Sequence, residues 1–389
     1  MRFCIHREVL GTPWHVVFDS QTQQVNKTET IPQQQELVLT HETIEELSRL
    51  YLVQFPKFPS PAFLTLFQGL VKTTTARAIP WCLCLPHKAL RKAVITFARE
   101  CDRILCSEIG SLDYWNQTYK PANKILTHIH LYPLTLKDQS NKKGYKRNLA
   151  SNSSIRYSRI ETVTGRLKVV SGLDIQTMKR ETRDSFSESL LGSLWELDYK
   201  SLEPRVLLAL KEPRTEAIPE DIYEHIRKEL ETKASREGIK KVVLSEMFGA
   251  SSPPCSSFRK QDIEFISGFM GLPEMRRKVL SDYNSNNRQY ITNYYGRRIS
   301  TVNAKPYMLV NYYIQSTAVD VALLGFSQMA THLEVSGSGV PVFMVHDALT
   351  VDTISDSVIP ELCEVGSRGI KGFEHVTFFL NSRKLKPVS

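Results

Sequence analysis

Residues 194–205 read LWELDYKSLEPR, and the rest of the chain is organised around them. An apolar run carries Asp198 to the end of a predicted strand. Ser201 then opens a predicted helix that accommodates Pro204 in its first turn, where a missing N–H costs nothing. An acid at the rim of a buried strand suits a metal ion. An Asp capping the following helix has the same local sequence, so this stretch alone leaves both readings open.

A second acid stands near the C-terminus. In GVPVFMVHDALTVDT (339–353) two apolar runs flank His346 and Asp347, which predicts a tight bend between antiparallel strands with Asp347 at a sheet rim. Between the two acids, DIYEHIRKEL predicts a helix, and a second follows a turn near 232–235 and stops at Gly249. On that second helix Arg236, Lys240, Leu244 and Phe248 recur every fourth residue, a ribbon with two cations at one end and two apolar groups at the other. Such a ribbon can hold a triphosphate tail and press on a base. An ordinary amphipathic helix shows the same pattern.

Arginines and amides surround these elements. TVTGRLKVV (162–170) turns at Gly165 and presents Arg166, and Arg180 and Arg183 follow three apart, in a residue type suited to bidentate phosphate contacts. NYYGRR (293–298) predicts a hairpin with Gly296 in its turn and Arg297 and Arg298 beside it. YMLVNYYIQSTAVDVALLGFSQMA (307–330) predicts a long, mostly buried helix carrying Asn311 and Gln315. Buried amides need partners, and a nucleic-acid minor groove or neighbouring backbone supplies them equally well. The run 137–159 sets Lys142, Lys143, Lys146 and Arg147 among Asn, Ser and Gly, which reads as an exposed loop, either merely solvated or gripping phosphates without regard to sequence.

The chain has 389 residues and a formal charge of +9, from 50 Lys plus Arg against 41 Asp plus Glu, which suits a polyanionic partner or a solvated surface. Of seven Cys only Cys82 and Cys84 lie close, without the second pair that a zinc site needs. MRFCIHREVL shows no apolar signal region and no window approaches a membrane span, so a soluble, intracellular protein is expected. Residues 1–40 predict a strand or two with a loop, of unreadable role. Within them VVFDS (16–20) invites comparison with the acidic motif of a proofreading exonuclease, but Ser20 and Gln21 follow Asp19, so no second acid shares an ion. Helical spacing returns over 40–55 and 87–113, where Leu90, Val94, Phe97 and Cys101 share a face.

Taken together, these stretches resemble the family A (DNA polymerase I) DNA polymerases. LDYKSLEPR resembles their first carboxylate motif through Asp198, Tyr199, Glu203 and Arg205. REGIKKVVLSEMFG is similar to their nucleotide-binding helix through Arg236, Lys240, Phe248 and Gly249, and VHD (345–347) to their second carboxylate motif. TGRL (164–167), YGRR (295–298) and the Asn311, Gln315, Asp320 series also stand in the family's order.

The resemblance implies an α+β right-hand fold with an antiparallel-sheet palm over 156–205 and 296–389 and helical fingers over 206–295. It implies a mostly helical thumb-like arm over 41–155, whose basic loop grips the duplex, and leaves 1–40 unassigned. It further implies two Mg2+ ions, with Mn2+ as a substitute, on Asp198, Asp347 and the backbone carbonyl of Tyr199, acting in nucleotidyl transfer from dNTPs to a DNA primer-template. Arg236 and Lys240 correspond to triphosphate ligands, Lys240 also to the group that protonates pyrophosphate. Glu203 corresponds to the steric gate against a ribose 2′-OH, with Phe248 beside it, and Arg166, Arg297, Asn311, Gln315 and His346 to DNA contacts. Replication or processivity proteins are implied partners; a membrane is not.

Three positions depart from the family pattern. Leu244 stands where an aromatic ring is usual, Phe248 replaces a Tyr whose hydroxyl would reach Glu203, and Ala348 follows Asp347 where Glu is common. A looser sugar filter is therefore expected, and no exonuclease domain fits in the first 150 residues. Two rival readings are a single-subunit RNA polymerase, against which Glu203 argues, and a degenerate polymerase fold that binds primer-template as a scaffold.

Overall fold

The computed structural model describes residues 2–5, 15–19, 24–30, 37–39, 112–131, 134–135, 152–153, 155–159, 161–186, 189–211, 217–249 and 258–385. These fall into two compact units, Met1–Trp115 and Asn116–Ser389. The helices expected over 40–55 and most of 87–113 lie outside the described residues, as do Lys142, Lys143, Lys146 and Arg147 of the basic loop.

The first unit contains a sheet rather than a strand or two. Its strands β1 (Arg2–Ile5), β2 (His15–Asp19), β3 (Gln24–Thr28) and β4 (Leu37–Leu39) lie in the order β3-β2-β1-β4, with only β4 parallel to its neighbour. Sequence alternation revealed β2 best. β3, of the same length, carries a single apolar residue, Val25, and β1 and β4 are too short to show a period.

In the second unit, helix α1 (Lys120–Leu131) precedes two small hairpins, β5 (Leu134–Thr135) with β6 (Asn152–Ser153) and β7 (Arg156–Ser158) with β8 (Lys168–Ser171). A short helix α2 (Arg180–Phe186) leads to β9 (Ser193–Tyr199), the hub strand. Helices α3 (Leu202–Ala209), α4 (Ile222–Glu229), α5 (Arg236–Phe248), α6 (Lys260–Phe269) and α7 (Leu272–Ser285) follow, then the hairpin β10 (Tyr290–Thr292) and β11 (Arg298–Ser300). The long α8 (Leu309–Ser336), β12 (Gly339–Val345), β13 (Ala348–Thr353), α9 (Ile359–Ser367) and β14 (Leu380–Lys384) complete the unit. None of the described helices is long and apolar enough to cross a membrane.

The central sheet runs β12-β13-β9-β14, antiparallel throughout. Because successive side chains alternate, Glu196 and Asp198 share a face with Thr350 and Ala348 on one side and Arg383 and Asn381 on the other. Leu197 and Tyr199 point the opposite way, where Tyr199 lies 5.2 Å from the Phe326 ring of α8 and donates to the Gly366 carbonyl of α9 at 2.7 Å. Nearly every turn of α8 is buried, which is why its sequence reads apolar all round.

Gly325 makes the close approach of α8 to Tyr199 possible: a Cβ there would stand 2.0 Å from the Tyr199 hydroxyl and 2.9 Å from the Gly366 carbonyl. Gly325→Ala is therefore expected to cost about 2 kcal/mol through overpacking, seen as a lower urea midpoint at unchanged m.

Helices α3 to α7 enclose a separate apolar core, with Ile226, Ile239, Val243, Met247, Ile266 and Met275 all buried. Capping explains their ends: the Asp221 side chain accepts from the Tyr223 and Glu224 amides to start α4, and that of Ser235 accepts from Gly238 to start α5. Gly249, with φ of 69°, ends α5 where the sequence predicted. Gly271, φ 68°, separates α6 from α7.

Candidate active site

Asp198 and Asp347 are brought together by strand register. Asp198 is the penultimate residue of β9, paired with Ala348, the first residue of β13. Asp347 sits one residue earlier, in the two-residue turn from β12, where His346 adopts a φ of 55°. The Tyr199 amide donates to the Asp347 carbonyl at 3.2 Å, tying the end of β9 to the Asp347 turn. Asp198 lies within β9 and the N-cap position of α3 is Ser201, three residues on, so Asp198 does not cap that helix.

The two acids open into a cavity of about 850 Å³ whose lining includes Arg166, Glu203, Asn311 and Gln315. All four ribbon residues of α5 line it too: Arg236, Lys240, Leu244 and Phe248. Their four-residue spacing is what turns a single helix face into one wall.

The electrostatics are strained in one direction. Asp198 reaches solvent through the cavity, yet the protein around it weakens its hydration. That desolvation, followed by the charges of Asp347 and Glu196, pushes its pKa up to about 6. Burial raises Asp347 as well, against the opposing pull of Arg166 and His346. Glu203 is raised by burial and then by Asp347, with Arg166 and a hydrogen bond from Gln315 drawing it back. Burial, then Arg166, lowers His346 below the usual imidazole value.

Asp198 and Asp347 are the residues here that could hold a divalent cation. The charge of Asp347 raises the pKa of the neighbouring Asp198, an effect that a divalent ion between them would relieve. No cluster of three or more His, Cys, Asp or Glu able to share an ion occurs among the described residues.

Other expected site residues fall differently. Arg236 is engaged: its Nε donates to Asp221 at 2.7 Å and its guanidinium lies 5.2 Å from the Tyr223 ring centre. Arg180, Arg183 and Arg383 converge on Glu196, with Arg180 at 3.0 Å, so the arginine group that looked free for phosphate is largely occupied by an acid on β9. His346 is exposed on its turn and does not line the cavity.

Arg297, expected on DNA, is instead 2 % exposed and donates to the Arg159 carbonyl at 3.3 Å. It belongs to a buried polar knot. Arg159 and Asp320, 1 % and 0 % exposed, form an ion pair; Asn293 donates to Asp320 at 2.8 Å and accepts from the Arg297 amide at 2.8 Å. Gly165, φ 76°, lies directly against the Arg297 guanidinium, leaving no space for a Cβ. The TGR, YGRR and Asp320 stretches thus meet inside the protein.

Residues that the sequence did not single out also line the cavity, among them Asp221, Tyr223 and Asn381. Asp221 was legible as a helix start. Its pairing with Arg236, fifteen residues on, had no local signal.

No protein-family model and no curated relative matches the sequence. Among solved structures, the chain is similar to the POL domain of Pol1 from M. smegmatis in complex with DNA primer-template and dNTP. The TM-score is 0.59 at 12 % identity, over 96 % of this chain and 92 % of that one. The fold is that of a polymerase domain. The α+β architecture expected from the carboxylate motifs is thereby met, with the antiparallel sheet carrying both acids and the helical layer carrying the Arg236 to Phe248 wall.

Proposed function

We propose that this chain performs template-directed, primer-dependent DNA synthesis, joining dNTPs to a primer 3′-OH. The observation that carries the reading is the placement of Asp198 and Asp347 side by side at one end of a cavity whose wall supplies Arg236 and Lys240. Two divalent ions, Mg2+ or Mn2+, bound to Asp198, Asp347 and the Tyr199 carbonyl would stabilise the attacking 3′-oxygen and the leaving pyrophosphate.

The chain's own groups do the rest. Arg236 exchanges Asp221 for nucleotide phosphate, a better bidentate partner. Lys240 holds the triphosphate and has a proton to give to the departing pyrophosphate. Leu244 and Phe248 offer apolar surface to base and sugar, and Glu203 crowds the position of a 2′-OH. Arg166, Asn311 and Gln315, at the cavity edge, meet the primer-template end. Proofreading is not part of the proposal, since no second acid accompanies Asp19 in its motif.

Extension of a labelled primer, with deoxynucleotides and ribonucleotides supplied separately, tests this. Extension by deoxynucleotides that stops in chelator supports the enzyme; DNA binding that persists in chelator, with no extension under any metal, identifies a scaffold instead.

The pH dependence has a definite sign. A proton on Asp198 competes with the cation, so the Mg2+ concentration for half-maximal extension should rise steeply as pH falls below about 6 and level off above 7. A flat Mg2+ requirement from pH 5.5 to 7.5 would contradict the assignment of Asp198 to the metal.

A further inference from the structure

Glu203 lacks the hydroxyl partner that a Tyr at position 248 would provide, and Leu244 and Phe248 bring it no donor. Among the described residues one side chain donates to its carboxylate: Gln315 Nε2, at 3.4 Å. Gln315 is itself held from behind, because the Thr164 hydroxyl donates to its Oε1 at 2.7 Å. Thr164 is 4 % exposed and stands in the turn ahead of Gly165 and Arg166. The directions in this series follow from chemistry. An ionised carboxylate only accepts, so the Gln315 NH2 must face Glu203, leaving its carbonyl oxygen toward Thr164, whose hydroxyl must then be the donor.

We propose that Thr164 and Gln315 are positioning residues that hold Glu203 against the sugar of an incoming nucleotide, and so set the discrimination between deoxyribose and ribose. The inference rests on the polymerase reading and replaces the missing tyrosine hydroxyl with a support from α8. With Thr164 intact, the amide presents its donors to the carboxylate. Without that hydroxyl, the Gln315 oxygen loses the donor that fixes it, the amide is free to turn, and its oxygen facing Glu203 would repel the carboxylate.

The test is binding of deoxy- against ribonucleotide triphosphate to the full chain on a dideoxy-terminated primer-template with Mg2+, beside extension on an ordinary primer. Thr164→Val is expected to lower the deoxy-to-ribo preference about tenfold, chiefly by tightening ribonucleotide binding, the size expected for one lost hydrogen bond to a charged group. Thr164→Ser, which keeps the hydroxyl, should retain the wild-type preference. Gln315→Glu, which keeps the shape but cannot donate when ionised, should match Thr164→Val. An unchanged preference in Thr164→Val, or equal loss in Thr164→Ser, overturns the relay. Failure of the polymerase reading looks different: wild type then binds nucleotide without extending, and the binding ratio still judges the relay. Should wild type bind no nucleotide in the ternary complex, both proposals fall together.

Discussion

Asp347→Asn is expected to reduce primer extension by on the order of 10³-fold or more while making the protein harder to unfold. On the proposed function, the activity loss follows from removing one of the two carboxylates that would hold the cations, a term of several kcal/mol in the transition state, where each 1.36 kcal/mol is tenfold in rate. The stability gain follows from the raised pKa of both acids. A carboxyl harder to ionise folded than unfolded contributes stability below its ordinary pKa, and that contribution is lost as pH rises through the folded value. For Asp198 the loss is complete above about pH 6, so at pH 7.5 wild type carries the full destabilisation that Asp198→Asn removes. The melting temperatures of Asp198→Asn and Asp347→Asn should accordingly exceed that of wild type at pH 7.5 and approach it near pH 4. A lower melting temperature for both at pH 7.5, with extension intact, would mean that the acids are structural.

The second large effect is on stability alone. Arg159→Leu removes the cation that pairs with Asp320 in a site that is 0 % exposed. Breaking one side of a buried ion pair costs about 3 to 5 kcal/mol, on the order of 10 °C in Tm for a unit of this size. Adding Asp320→Leu should recover a substantial part of the loss, because the uncompensated charge then disappears. Thermal denaturation of the single and double variants measures both. Equal losses in single and double would shift the cause to packing of Arg159 over the Tyr119 ring, 4.9 Å away.

These two effects separate the roles of motifs that look alike in sequence. Arg166 and Arg297 each follow a glycine in a turn, and from the sequence both pointed to DNA. The structure sends Arg166 to the cavity edge and Arg297 to the polar knot behind it. The difference lies in what faces each turn: Arg297 meets the Arg159 carbonyl and the bare backbone of Gly165, partners more than 130 residues earlier.

What the sequence determined by itself was local. Apolar runs placed Asp198 at a strand end and Asp347 at the bend between two strands, four-residue spacing put Arg236, Lys240, Leu244 and Phe248 on one helix face, and glycines ended α5 and turned the β10–β11 hairpin. Each depends on residues within one element, where backbone geometry converts spacing directly into direction. Only the tertiary structure decided which groups meet: Asp198 beside Asp347 through the register of β9 and β13, Arg236 on Asp221, three arginines on Glu196, and Thr164 through Gln315 to Glu203. Those pairings are set by how elements pack against a shared core, and the free energy that selects them is spread over many buried contacts, so no window of sequence carries it.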